Sequence, residues 1–214
     1  MATNNHIIVE FTPEQEQVFI GTMFGDGNLH RKGGTQNAFF QTVCSDRDRE
    51  YILWKYKILK SSNIFLRSPY LRPEIRGFGS HPKWHLCSRH LPLLTEYNQL
   101  FYPNGKKSAS LGMLDRLSSL GLAVWYMDDG CSRSDQPTVI LSTQGFPYEE
   151  NLVIRDWFKE KFGLPFRVQP HHHGKYYRLV LGRKENVNRF LKLTRPYAQP
   201  CMARKFKEVL SEQL

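Results

Sequence analysis

An apolar run that closes in Asp-Gly occurs twice in this chain, and that repeat constrains the fold more than any other feature. Phe19-Ile-Gly-Thr-Met-Phe-Gly-Asp-Gly27 returns as Leu122-Ala-Val-Trp-Tyr-Met-Asp-Asp-Gly130, which puts Asp26 and Asp129 at matching points 103 residues apart. The segments after each run match as well. Residues 28–44 and 131–143 read as hairpins, short polar-apolar segments broken by Lys32-Gly33-Gly34 and by Asp135-Gln136-Pro137. Helical stretches come next, at 48–59 with Ile52, Tyr56 and Leu59 on one face, and at 149–162 with Leu152, Ile154, Trp157 and Phe158. Second hairpins around 75–86 and 166–181, the latter with its tip at His172-His173-Gly174-Lys175, lead to helical pieces at 91–102 and 187–193. Lys106-Lys107 and Arg204-Lys205 then close the copies. The reading is two units of helix–hairpin–helix–hairpin–helix, residues 1–108 and 109–214.

The first motif helix has a clear start. Thr12-Pro13-Glu14-Gln15 offers Thr as N-cap, Pro at the first helical position and Gln three residues after the cap. That helix is expected to run to about Gly25, with Gly27 as a left-handed terminator. Its counterpart starts at Ser118 or Ser119 and ends at Gly130. Both therefore finish on a carboxylate at the negative end of the helix, where Asp costs up to about 1 kcal/mol without a cation. A rule broken twice at equivalent points of a repeat marks a functional site. A hard divalent cation relieves the conflict. Mg²⁺ takes oxygen ligands and uses only one or two protein carboxylates, leaving places for water and phosphate. The helix-end carbonyls of Gly25 and Asp128 are the natural additional ligands. Gly21 and Gly25 clear one helix face, and if the motif helices pack there, Asp26 and Asp129 meet. Metals held between carboxylates activate water and stabilise the leaving oxygen of a phosphodiester.

Composition adds the partner. The chain carries 30 Lys+Arg against 20 Asp+Glu, a formal +10, divided evenly at +5 per half. An excess of that sign points to a polyanion, most often nucleic acid. The content of 14 Phe, 10 Tyr and 4 Trp is too aromatic for a disordered chain. No apolar run approaches the roughly 20 residues of a membrane span, and residues 1–10 lack the pattern of a secretory or transit leader. Cys44, Cys87, Cys131 and Cys201 lie far apart, against a zinc ribbon or a disulfide framework. An intracellular globular protein is expected, with its compartment undetermined.

At these residues the chain resembles the single-chain, two-motif LAGLIDADG homing endonucleases. Phe19–Gly27 and Leu122–Gly130 look like the two copies of the family motif. The stretch from Trp125 through Leu141-Ser-Thr-Gln144 to Pro196-Tyr197 and Arg204-Lys-Phe206 is similar to the yeast mitochondrial intron-encoded member. The resemblance implies an α+β fold of two pseudo-symmetric αββαββα repeats, whose antiparallel sheets form a saddle over double-stranded DNA. It implies Mg²⁺-dependent cutting of both strands at a long rare site by a monomer, with intron mobility as the outcome. Mn²⁺ or Ca²⁺ is expected to substitute in binding. By position Asp26 and Asp129 match the family's metal-binding acids, and Lys107 and Lys205 its paired basic residues near the scissile phosphates. Ammonium groups there can stabilise the charge of a pentavalent phosphate. Val124 and Asp128 depart from the small residues usual at the motif interface. The alternative is an RNA maturase acting on its own intron RNA, or a non-cleaving DNA-binding regulator of the same fold.

Two other readings fall away. Tyr126-Met-Asp-Asp129 spells the reverse-transcriptase tetrad, but here it ends a helix and not a strand. His81, His85 and Cys87, or His171–His173, lack a second matching zinc cluster. Candidates for contacting DNA are the polar hairpin residues Arg31, Lys32, Gln36, Gln41, Lys83, Arg89, Arg133, Arg167, Gln169, Lys175 and Arg178. Strand register decides which of them share a face.

Overall fold

The computed structural model of the chain describes residues 9–31, 37–73, 81–133 and 135–206. The first copy runs α1 (Pro13–Phe24), β1 (Asn28–His30), β2 (Phe39–Ser45), α2 (Arg49–Leu59), β3 (Tyr70–Arg72), β4 (Lys83–Cys87) and α3 (Pro92–Phe101). A short α4 (Leu111–Asp115) comes next. The order then returns as α5 (Ser119–Asp129), β5 (Gly130–Ser132), β6 (Val139–Leu141), α6 (Tyr148–Phe162), β7 (Arg167–His171), β8 (Tyr176–Leu181) and α7 (Lys184–Thr194). Each copy builds a four-stranded antiparallel sheet, ordered β1-β2-β4-β3 and β5-β6-β8-β7. The architecture is the expected α+β pair of αββαββα repeats, and the 108/109 division falls between α3 and α4.

The start of α1 is a complete capping box. Thr12 N donates to Gln15 Oε1 at 3.0 Å, and Gln15 N returns to Thr12 Oγ1 at 3.3 Å. The Gln15 amide then donates to the Ile58 carbonyl at 3.0 Å, so the same residue ties α1 to the end of α2. Further along, α1 and α5 pack together where glycine permits. A Cβ on Gly21 would lie 2.7 Å from Val124 Cβ, and one on Gly25 would lie 2.6 Å from Asp128 Oδ2. The larger Val124 and Asp128 of the second motif are thus accommodated by glycines of the first. Around this seam one apolar core spans both copies, with Phe24 and Trp125 ring centroids 4.9 Å apart across it.

Four local expectations are corrected. Gly27 is not a left-handed terminator. Its backbone N donates to the Thr22 carbonyl at 2.7 Å, and a Cβ there would lie 2.7 Å from that oxygen, so close approach requires the glycine. The second hairpin of the first copy begins at Tyr70, ahead of residue 75. On α2 the buried side is Tyr51, Ile52, Lys55 and Leu59, with Tyr56 only half-buried. On α6, Asn151 takes the inward place expected of Leu152, because its amide donates to the Phe146 and Pro147 carbonyls at 2.9 and 3.0 Å and closes the turn before the helix.

Candidate functional site

The tight α1–α5 seam delivers its two acids to one place. Asp26 lies just past the last turn of α1, and Asp129 is the final residue of α5. Asp26 is open to solvent on one side, yet protein crowds the rest of its carboxyl. Burial, followed by repulsion from Asp128, pushes its pKa up from 3.8 to about 6. Asp129 is pushed to about 7 by burial and then by Asp26 and Asp128. The two carboxyls are close enough to resist joint ionisation, and cations lower that cost.

Two lysines supply cationic charge from opposite ends of the chain. Lys107, between α3 and α4, donates to the Gly25 carbonyl at 3.2 Å and the Gly27 carbonyl at 2.8 Å. Lys205, at the end of a 3₁₀ turn (Pro200–Lys205), donates to the Asp128 carbonyl at 2.6 Å. Neither motif helix has a basic residue in its last turn, so these distant lysines satisfy the helix-end carbonyls. Burial draws the Lys107 pKa down to about 8 against the pull of Asp129, Asp128 and Asp26, and it lowers Lys205 in the same way. The Lys205 backbone is itself fixed, its carbonyl accepting from Tyr126 Oη at 2.6 Å and Ser132 Oγ at 2.9 Å.

The Gly25 and Asp128 carbonyls, expected as additional metal ligands, each accept a lysine ammonium group, and each keeps a second lone pair. The Asp128 carboxylate is fully buried in an ion pair with Lys55, at 2.7 and 2.9 Å. Among the described residues there is no group of three or more His, Cys, Asp or Glu side chains suited to a metal. Asp26 and Asp129 are two hard oxygen donors whose pKa values are raised first by burial and then by neighbouring carboxylates. That donor set fits a divalent cation completed by water and phosphate.

Register sorts the remaining candidates. On the first sheet Gln41, Val43, His85, Tyr70, Lys83 and Arg72 alternate onto the side opposite the buried Phe40, Thr42 and Leu86. On the second, Arg167, Gln169 and Arg178 share the side opposite the buried Leu179 and Leu181. Gln41 bonds His85 Nδ1 at 3.1 Å, and Arg178 Nε donates to Gln169 at 3.0 Å. Arg31 is exposed beyond β1, and Lys175 is exposed at the tip between β7 and β8. Arg133 is exposed and paired with Asp135. Arg89, just past β4, turns its guanidinium to the carbonyl of Asn63, which follows the 3₁₀ turn after α2. Lys32 and Gln36 lie outside the described residues. Two residues were missed: Arg72, opposite Lys83 on the exposed sheet face, and Lys55. The signal for Lys55 was a lysine four residues from both Tyr51 and Leu59, inside the apolar stripe of α2.

Comparison with known proteins decides the family. Residues 16–190 match the profile of the LAGLIDADG DNA endonuclease family. The chain belongs to this family. The homing endonuclease I-WcaI, solved bound to its DNA recognition sequence, superposes with a TM-score of 0.85 at 19% identity, over 98% of this chain and 96% of its own. I-DmoI in complex with DNA and Mn gives a TM-score of 0.52 at 12% identity, over 85% and 97% of the two chains. In sequence, Probable intron-encoded DNA endonuclease 3 of Mycosarcoma maydis is 34% identical over 116 residues, covering 52% of this chain and 83% of its own. The chain also aligns with RecA of Mycolicibacterium fallax at 27% identity, spanning 96% of this chain but only 48% of that protein.

Proposed function

We propose that the chain is a monomeric, divalent-metal-dependent endonuclease that cuts both strands of double-stranded DNA at a long specific site and so promotes mobility of the intron that encodes it. The observation that carries this reading is the pair Asp26 and Asp129, brought to one place by a glycine seam and flanked by Lys107 and Lys205. A divalent cation at Asp26 and Asp129, Mg²⁺ in the cell with Mn²⁺ or Ca²⁺ able to support binding, would supply an activated water and charge stabilisation for the leaving oxygen. Lys107 and Lys205 present ammonium groups beside the same carboxylates, where they stabilise the charge that develops on the phosphate. The exposed sheet sides bearing Gln41, Arg72 and Lys83, and Arg167, Gln169 and Arg178, contact base edges and backbone on either side of the centre.

Selection of bound duplexes from a random DNA library in Ca²⁺ tests the recognition half of this reading. One long, mostly non-palindromic site is expected. Its affinity should fall with salt at a log–log slope of about −0.9 per phosphate neutralised. Absence of any enriched duplex contradicts DNA recognition and turns attention to the intron RNA.

The raised pKa values give a second test, independent of DNA. The folded chain holds protons on Asp26 and Asp129 up to about 6 and 7, whereas the ordinary value is 3.8. Between these limits the native state binds more protons than the unfolded chain, so the two groups reduce stability as pH rises. A cation bound by the ionised pair reverses that loss. Thermal melts with Mg²⁺ against EDTA should therefore show a clear rise in Tm at pH 8 and almost none at pH 5. Equal shifts at both pH values would place the ion elsewhere.

A further inference from the structure

The two halves of the centre are not equivalent. The position before the motif acid is Gly25 in the first copy and Asp128 in the second. The seventh residue of α2 is Lys55, and the seventh of α6 is Ile154. An ion pair thus occupies one side of the seam where its pseudo-symmetric counterpart has glycine and an aliphatic residue. Lys55 and the Asp128 side chain are almost wholly enclosed, and the pair joins the two copies through α2 and α5. It also leans toward one acid. Asp128 Oδ2 accepts the backbone N–H of Asp26 at 3.3 Å, and the Asp128 side chain fills the space beside Gly25. Lys55 is held in turn over the Tyr51 ring at 4.5 Å, while Tyr51 Oη donates to the Val124 carbonyl at 3.2 Å. The chain of contacts runs Tyr51, Lys55, Asp128, Asp26.

We propose that Lys55 is a positioning residue for Asp26: it orients the Asp128 carboxylate that accepts the Asp26 backbone N–H, and by doing so on one side only it makes the two strand cuts unequal in their dependence on this pair. The proposal rests on the nuclease reading for its kinetic part and on geometry alone for its structural part. A buried carboxylate left without its ammonium partner rearranges or draws in water, and either response displaces the Asp26 backbone. Among the described residues no such ion pair lies on the Asp129 side, where Ile154 occupies the matching position on α6.

The test uses the full chain labelled with ¹⁵N at aspartate, with the Asp26 amide assigned by its loss in Asp26→Asn, together with end-labelled target duplex. In Lys55→Met the Asp26 amide resonance moves, and one strand is cut about tenfold more slowly while the other changes less than about threefold. Two charge-neutral double variants guard against a failure to fold. Lys55→Met with Asp128→Asn keeps an acceptor for Asp26 N–H and restores both readouts to near wild type. Lys55→Met with Asp128→Ala removes it and does not. The proposal is overturned if the Asp26 amide is unmoved in Lys55→Met, if both strands slow equally, or if the Asn and Ala doubles behave alike. If the wild-type chain cuts no duplex at all, the nuclease reading fails, and the amide resonance still decides the positioning claim.

Discussion

Asp129→Asn abolishes cutting of at least one strand of the target duplex while leaving Ca²⁺-supported binding within a few-fold of wild type, and Asp26→Asn does the same. The expectation comes from the donor set. Among the described residues, these two are the uncommitted carboxylates at the seam, since Asp128 belongs to Lys55. Asn preserves the size of the side chain and removes the charge that a hard cation needs. Losing one of two such donors should slow cleavage at least about 100-fold, a barrier increase of ~2.7 kcal/mol. Binding is expected to persist because the sheet faces proposed to contact DNA are unaltered. Cleavage assays with each strand labelled separately, alongside gel-shift titrations in Ca²⁺, check both halves of the statement. Unimpaired double-strand cutting by Asp129→Asn would remove the carboxylate pair from the chemistry.

The second large effect is on stability. Gly21→Ala is expected to lower the unfolding free energy by ~2 kcal/mol, and Gly21→Val by ~3 kcal/mol or more, through overpacking of the α1–α5 seam. The added Cβ would lie 2.7 Å from Val124 Cβ, with the Gly121 backbone closer still. Neither neighbour is the free end of a flexible side chain. The matched control is Gly112→Ala in α4, where nothing lies within 4 Å of an added Cβ. A helical Gly-to-Ala change with room to spare is neutral or stabilising by up to ~1 kcal/mol. Urea denaturation midpoints separate the two cases. A Gly21→Ala midpoint at or above wild type would mean that the helices meet elsewhere. Because the same seam aligns the acids, Gly21→Val should also lose cleavage at temperatures where it remains folded.

Repetition made the centre legible. A lone Asp-Gly at a helix end is an ordinary turn, but Asp26 and Asp129 at matching points of two similar segments carried both the acid pair and the lysines that close each copy. Apolar periodicity likewise placed the second helix of each copy, and the Thr12-Pro13-Glu14-Gln15 cap placed the start of α1, because neither needs knowledge of a distant partner. What failed to show was whatever depends on a partner distant in sequence. Lys55 sits 73 residues from Asp128, and a lysine on an apolar stripe ordinarily snorkels to solvent. Its burial becomes evident only once α5 is laid against α2. The Gly25 and Asp128 carbonyls looked free because each helix lacks a basic last turn, while the lysines that bind them lie 82 and 77 residues away. Gly27 has the sequence look of a left-handed cap, and only the approach of the Thr22 carbonyl reveals another reason for it. On the sheets, alternation sorted Lys83 and Arg167 onto exposed sides once register was known, and it brought out Arg72. Arg89 lies just past β4, where alternation no longer governs, and its target Asn63 follows the 3₁₀ turn after α2, 26 residues away.

Cutting of both strands of a specific duplex through Asp26 and Asp129 is the activity proposed for this chain. The most direct test is to add Mg²⁺ to the complex selected in Ca²⁺ and to map the new ends on each strand separately. One break per strand is expected within the bound site, dependent on the divalent ion and absent in EDTA. A duplex that stays bound and intact in Mg²⁺ would contradict it and make the chain a DNA-binding regulator on a nuclease scaffold.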